Sequence, residues 1–174
     1  PSTVAVVLKI LCVFASVWCE FRAQHFLWQL PNSKDKKTVK NDSKKKTLCN
    51  INIMYTNIDS ITNKQRELKD FLNSLDPVNT PHIIAITEIN AKYSKYPLQE
   101  SELQITGYNL FCSNIGELHY RGILIYVSTD LLAIELEMCK TFNEHVTINI
   151  QDSNNNLTVS TIYRSPNSCD SNDE

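Results

Sequence analysis

A strand–helix–strand pattern constrains the fold of this chain more than any other sequence feature. Residues 49–57, CNINIMYTN, are rich in apolar and β-branched residues and predict a strand. Residues 82–88, HIIAITE, predict a second strand. Between them, residues 60–76 predict a helix that Asp59 or Ser60 is placed to cap, with one apolar stripe formed by Leu68, Phe71, Leu72 and Leu75. A unit of this kind favours two parallel neighbouring strands in one sheet.

The chain after this unit is mainly strands. Residues 107–112 (GYNLFC) and 122–128 (GILIYVS) predict two of them. Residues 145–151 (HVTINIQ) and 157–164 (LTVSTIYR) flank the turn-rich sequence DSNNN and predict a hairpin. One strand–helix–strand unit followed by strands is typical of a mixed, layered α/β fold.

Charge is distributed unevenly along the chain. The formal net charge is -2, but residues 34–46 hold seven lysines against two aspartates, whereas residues 47–174 hold eight basic and sixteen acidic residues. An acidic domain does not bind a polyanion by charge alone. Binding to nucleic acid would therefore need metal ions in the site or help from the lysine tract, which otherwise serves as a solvated linker.

Residues 1–46 are set apart from the fold as an unassigned apolar leader and a lysine-rich linker. Residues 4–19 are apolar apart from Lys9, which fits a signal-peptide core or a misjoined leader. Secretion or membrane association is expected only if this leader is genuine. The domain is therefore assigned to residues 47–174.

Oxygen-bearing side chains follow both predicted parallel strands. Asn57 and Asp59 come at the end of the first strand, and Glu88 comes at the end of the second. The carboxyl ends of parallel strands meet at one sheet edge, where functional groups collect in α/β sheets. Carboxylate oxygens suit magnesium, with manganese as the alternative ion. The structural alternative is that Asn and Asp serve here as turn formers and helix caps.

Five segments in order carry a resemblance to a known family: YTNIDSI, HIIAITE, SELQITGYNLFCSN, RGILIYV and LTVSTIYRSPNS. Together they resemble the endonuclease/exonuclease/phosphatase superfamily, and within it the endonuclease domain of non-LTR (LINE-type) retrotransposons. The resemblance covers residues 48–168. It implies a DNase I-like layered α/β sandwich (αββα), of which this chain would hold the N-terminal half only.

The resemblance also implies roles for individual residues. Glu88 matches the magnesium-binding glutamate, and Asp59 matches an aspartate of the metal shell. Asn57 matches an asparagine that holds the phosphate or the metal shell, and Tyr163 matches a tyrosine that contacts the scissile phosphate. The implied partner is DNA, the implied reaction is phosphodiester hydrolysis, and no small-molecule cofactor is implied.

Two segments that the family needs are missing from this sequence. Neither Gly-Asp-x-Asn nor Ser-Asp-His occurs, so the residues that orient the attacking water and stabilise the developing charge are not supplied. We therefore expect a truncated, inactive endonuclease domain, whose sandwich would leave an apolar sheet face exposed. The alternatives are a non-catalytic remnant and a phosphatase of the same superfamily. A retrotransposon origin implies a nuclear or cytoplasmic location.

Overall fold

The computed structural model describes residues 3–9, 51–93, 96–117, 119–137, 143–151 and 156–164. In chain order, its elements are β1 (Thr3–Lys9), β2 (Ile53–Asn57), α1 (Gln65–Ser74), β3 (Ile83–Thr87), a short 3-10 helix (Glu100–Leu103), β4 (Tyr108–Ser113), β5 (Ile123–Ser128), β6 (Leu132–Glu135), β7 (His145–Gln151) and β8 (Asn156–Ile162). The lysine tract at 34–46 and most of the apolar leader lie outside these ranges.

The strands form two four-stranded sheets. Sheet I has the order β2-β3-β5-β4, and sheet II has the order β1-β8-β7-β6. In sheet I, β2 and β3 are parallel neighbours connected through α1, as the strand–helix–strand pattern predicted. In sheet II, β7 and β8 form the predicted antiparallel hairpin.

The main core lies between the two sheets. Alternate residues of β3 and β5 face opposite ways, and both faces of these central strands are buried. One face packs on sheet II in a cluster that includes Ile83, Ile125, Ile148 and Val159. The predicted layered α/β sandwich is therefore confirmed. The sequence predicted that an apolar sheet face would be exposed. In the described residues, the apolar faces of the two sheets are instead buried against each other.

Helix α1 covers the other face of sheet I. Leu68 and Leu72 are buried there against apolar side chains of β2, β3 and β5, and Phe71 and Leu75 pack at the margin, so the predicted stripe is confirmed. The predicted caps are wrong. The helix begins at Gln65 after Lys64, which makes no side-chain cap, because Asp59 and Ser60 instead form a turn at the end of β2.

Two strands were not predicted from sequence. β1 pairs in parallel with β8, although its residues had been set apart from the fold. β6 is a four-residue edge strand whose residues are mostly exposed, so it has neither the length nor the alternation that marks a strand in sequence. Among the described residues, no helix combines the length and apolar character needed to span a bilayer.

Candidate metal and phosphate site

The pairing of β2 with β3 continues beyond the ends of both strands. Asn57 is in register with Thr87, and the Ile58 N–H donates to the Thr87 carbonyl at 3.1 Å. The Ser60 N–H then donates to the Glu88 carbonyl at 2.8 Å. These bonds fix the chain after β2 beside the chain after β3. The three residues singled out in the sequence therefore lie at one edge of sheet I.

The side chains of these residues contact one another. Asn57 donates through Nδ2 to Glu88 Oε1 at 2.5 Å, and the Asp59 N–H donates to Asn57 Oδ1 at 3.2 Å. The Glu88 side chain is 15 % exposed and that of Asp59 is 69 % exposed. The Asn57 amide thus bridges the largely buried carboxylate of Glu88 and the backbone of Asp59, whose own carboxylate is exposed.

The backbone at this edge adopts an uncommon conformation. Asp59, Ser60 and Glu88 have φ angles of 42°, 77° and 59°, in the left-handed region that disfavours residues with a side chain. Such residues cost on the order of 1–3 kcal/mol each and cluster at functional sites. Glu88 keeps a carboxylate at a position where glycine would fit the backbone better, which favours a functional role for this side chain.

Sequence reasoning did not single out Arg121, which completes the cluster. Its Nη2 lies 2.6 Å from Asp59 Oδ1 and 2.7 Å from Glu88 Oε2. The hydrogen bond and the charge of this guanidinium hold the pKa of Asp59 below its usual value, against the opposing effect of partial burial. We call Asn57, Asp59, Glu88 and Arg121 the carboxylate cluster.

The position of Arg121 follows from the sheet topology. It comes just before β5, which runs antiparallel to β3, so the start of β5 lies beside the end of β3. The Asn90 N–H donates to the Arg121 carbonyl at 2.7 Å across this junction. A basic residue directly before a strand is a weak signal in sequence. It becomes informative only once the antiparallel pairing with β3 is known.

The Glu144 side chain fixes the position of the Arg121 backbone. Its Oε2 accepts hydrogen bonds from the N–H groups of Arg121 and Gly122, both at 2.9 Å. Glu144 is 6 % exposed, and burial raises its pKa while the two N–H donors act in the opposite direction. Sequence reasoning assigned no role to Glu144. Its carboxylate connects the start of β7 in sheet II to the start of β5 in sheet I.

Tyr163 lies just beyond β8, in the core between the sheets. Its side chain is 6 % exposed, and its N–H donates to the Glu144 carbonyl at 3.0 Å. It is thus joined to the carboxylate cluster through Glu144 and the Arg121 backbone. Contact of its hydroxyl with a phosphate stays a prediction.

The donor set of the cluster fits magnesium. Two carboxylate oxygens flank a single cationic nitrogen, and magnesium takes hard oxygen ligands, usually one or two carboxylates completed by water and phosphate. No group of three or more His, Cys, Asp or Glu residues with metal-binding geometry occurs in the described ranges. Manganese accepts the same ligands.

Positive charge also gathers around the open carboxylate of Asp59. Lys92 and Lys64 add to the effect of Arg121 in lowering its pKa. Lys64 also donates through Nζ to the Asp59 carbonyl at 3.3 Å and so holds the turn after β2. The domain is acidic as a whole, but this edge carries cations that could face a phosphate.

The likeness of this chain to known proteins lies in its structure. No protein-family model and no curated protein matches the chain. Among solved structures, the chain is similar to the endonuclease domain of TRAS1, a telomere-specific non-LTR retrotransposon, with 16 % identity and a TM-score of 0.43. The match covers 67 % of this chain, and the chain spans 45 % of that domain's length.

Proposed function

We propose that this chain carries the metal- and phosphate-binding part of a divalent-cation-dependent endonuclease domain of the non-LTR retrotransposon type. The reaction of such a domain is hydrolysis of a phosphodiester bond in DNA. Magnesium is the proposed ion, with manganese as a substitute. Glu88 and Asp59 are the proposed metal ligands, and Asn57 and Tyr163 are the proposed contacts to the phosphate.

One observation carries this proposal: the convergence of Asn57, Asp59 and Glu88 at the carboxyl ends of two parallel strands. The contacts of 2.5 Å and 3.2 Å join the three residues through the Asn57 amide. A sheet edge of this kind is where α/β folds bind ligands. The left-handed backbone at Asp59 and Glu88 supports a functional rather than a structural reason for the carboxylates.

The chain's own residues would have separate tasks at this edge. Glu88 offers a mostly buried carboxylate whose orientation is fixed by Asn57 and Arg121. Asp59 offers an exposed carboxylate that a large substrate in solvent could reach. The Asn57 amide adds no charge and so could contact a phosphate oxygen without repelling it. A metal ion held there would supply Lewis-acid polarisation of the phosphoryl oxygen.

We further propose that this polypeptide alone nicks DNA poorly. Its sequence holds neither the Gly-Asp-x-Asn nor the Ser-Asp-His segment that the resemblance requires. Loss of one group that stabilises a developing charge costs about 10²-fold or more in rate. The expected behaviour of the 174-residue chain is therefore metal-dependent binding of DNA with little cleavage.

The experiment is a binding titration with a short fluorescein-labelled DNA duplex, followed by fluorescence anisotropy in Mg²⁺ or in EDTA. Wild type is expected to bind about tenfold more tightly in Mg²⁺, a difference of ~1.4 kcal/mol. Glu88→Gln keeps the shape of the side chain but loses the charge, so its binding should not respond to Mg²⁺. A parallel assay follows the nicking of supercoiled plasmid.

Glu67→Gln is the matched control because Glu67 is exposed on α1 and makes no hydrogen bond or ion pair with any residue of the cluster. It should respond to Mg²⁺ as wild type does. Equal binding in Mg²⁺ and EDTA by wild type, or an unchanged response in Glu88→Gln, would contradict the proposed site. Strong nicking that Glu88→Gln abolishes would support the nuclease and overturn the expected inactivity.

A further inference from the structure

The guanidinium of Arg121 occupies the position between the two proposed metal ligands. Its side chain is 12 % exposed, and its Nη2 contacts both Asp59 and Glu88. Its Nε and Nη1 are buried and have no hydrogen-bond partner within the described part of the chain. Buried donors without partners are rare in folded proteins. Arg121 therefore combines one satisfied nitrogen with two that lack an acceptor.

A divalent cation and this guanidinium would compete for the same oxygens. Magnesium binds carboxylate oxygens at about 2.1 Å. Nη2 lies 2.6 Å and 2.7 Å from Asp59 Oδ1 and Glu88 Oε2, so both cations cannot hold these oxygens at contact distance. Their mutual repulsion in a partly buried site is also strong. Arg121 should therefore weaken metal binding when no other anion is present.

The displaced guanidinium would need a new anionic partner. Arginine carries five donors in a planar fork that matches phosphate oxygens, and it stays charged at any relevant pH. The backbone of Arg121 is held by Glu144 and Asn90, so the group would stay at this edge of the sheet. A phosphodiester bound next to Asp59 and Glu88 would offer oxygen acceptors to Nε and Nη1 of the displaced guanidinium.

We propose that Arg121 couples divalent-cation binding to phosphodiester binding at the carboxylate cluster. Without a divalent ion, the guanidinium neutralises Asp59 and Glu88. When the ion takes that place, the guanidinium transfers to a phosphate oxygen, so each ligand strengthens the binding of the other by the same factor. This inference rests on the proposed function, because it takes Asp59 and Glu88 as the metal ligands.

The test measures Mn²⁺ affinity by electron paramagnetic resonance, with and without the thymidine dinucleotide TpT as the phosphodiester. For wild type, saturating TpT should lower the Mn²⁺ dissociation constant at least about fivefold, the lower end of common coupling factors. Arg121→Gln should bind Mn²⁺ several-fold more tightly than wild type without TpT. Addition of TpT to this variant should change the affinity less than about twofold, because the coupling group is gone.

Arg121→Lys keeps the positive charge but removes the planar guanidinium, so it tests the two properties separately. A lysine still neutralises the carboxylates, so Mn²⁺ affinity without TpT should stay near wild type, while the effect of TpT should shrink. This variant also keeps the inference testable if Arg121→Gln fails to fold, as judged by circular dichroism. Arg66→Gln removes an exposed arginine that pairs with Asp70 on α1, and it should leave both affinities unchanged.

The possible results separate the two proposals. If wild type binds Mn²⁺ and Glu88→Gln does not, but Arg121→Gln binds no more tightly and retains the TpT effect, the coupling role is overturned and the metal site stands. If neither wild type nor Arg121→Gln binds Mn²⁺, the metal site falls and the coupling falls with it.

Discussion

At the scale of single residues, Glu144 ties the two sheets together next to the carboxylate cluster. One oxygen of its buried carboxylate accepts two backbone N–H groups, those of Arg121 and Gly122. These donors precede β5 in sheet I, whereas Glu144 itself precedes β7 in sheet II. Gly122 has a φ of 71°, and a Cβ there would lie 3.1 Å from Asn90 Nδ2, so the turn is closely packed. The position of Arg121 thus depends on this buried acceptor.

Removal of the acceptor is expected to destabilise the fold. Glu144→Ala leaves one buried and one partly buried N–H group without this acceptor, which should lower the free energy of unfolding by about 2 kcal/mol. Glu144→Gln keeps an oxygen that can accept both bonds, so its cost should be smaller. Urea titration followed by circular dichroism measures both. Equal losses for the two variants would contradict the role of the oxygen.

The same residue should make stability depend on pH. Burial raises the pKa of Glu144 above its ordinary value of 4.5 in the folded protein. The folded state therefore keeps the proton to a higher pH than the unfolded chain does. Its contribution to the free energy of unfolding is present at low pH and is lost as pH rises from 4.5 through the raised pKa. Glu144→Gln should lack this component of the pH profile.

The residues of the site differ in how far sequence could predict them. Asn57, Asp59 and Glu88 follow strands that are readable locally, so their convergence needed only the parallel pairing. Arg121 contacts Asp59, which lies 62 residues earlier in the sequence. Glu144 accepts a hydrogen bond from the Arg121 N–H, which lies 23 residues earlier. Contacts of that range depend on the pairing of β5 with β3 and on the packing of the sheets. No local pattern encodes either.

At the scale of elements, α1 is held by one narrow apolar stripe. Within this stripe, Leu68 is fully buried against sheet I, and Leu72 is buried one helical turn further along α1. The stripe was predictable because it depends only on helical spacing. The start of the helix was not, since the left-handed turn at Asp59 and Ser60 uses these residues for the chain after β2. The extended pairing with β3 there outweighed the local preference for capping.

Truncation of the buried leucine should cost far more than truncation of an exposed one. Leu68→Ala opens a cavity under α1 and should lower the free energy of unfolding by about 2–5 kcal/mol. Leu132→Ala changes a side chain that is 65 % exposed on the edge strand β6. Its effect should stay within about 0.5 kcal/mol. Thermal or chemical unfolding of both variants gives the comparison, and similar losses would argue against the packing of α1.

At the scale of the whole molecule, one core serves both sheets. Ile125 of β5 and Ile148 of β7 are fully buried in the same cluster, and the Glu144 carboxylate adds hydrogen bonds from sheet II to the start of β5 in sheet I. Neither sheet can therefore keep its apolar face buried without the other. The sequence predicted a layered sandwich, but the strand β1 and the order of sheet II depend on pairings between distant segments that no local pattern shows.

A shared core predicts that the sheets open together. In native-state hydrogen exchange, the central amides of β3, β5 and β7 should exchange with the same free energy and the same denaturant dependence. β6, an exposed edge strand, should exchange through smaller local openings. If the amides of β7 exchanged through a separate opening of lower free energy than those of β5, the two sheets would be independent units.

The positive φ of Glu88 has a consequence for how this position drifts over evolutionary time. Glycine would relax the turn, whereas glutamate must hold a conformation that its Cβ disfavours. A lineage in which the carboxylate no longer serves any purpose would gain stability by exchanging it for glycine or asparagine. An acidic side chain retained at position 88 among diverging copies would indicate continued selection for the function of the carboxylate. Its replacement by glycine or asparagine would indicate that this function had been lost.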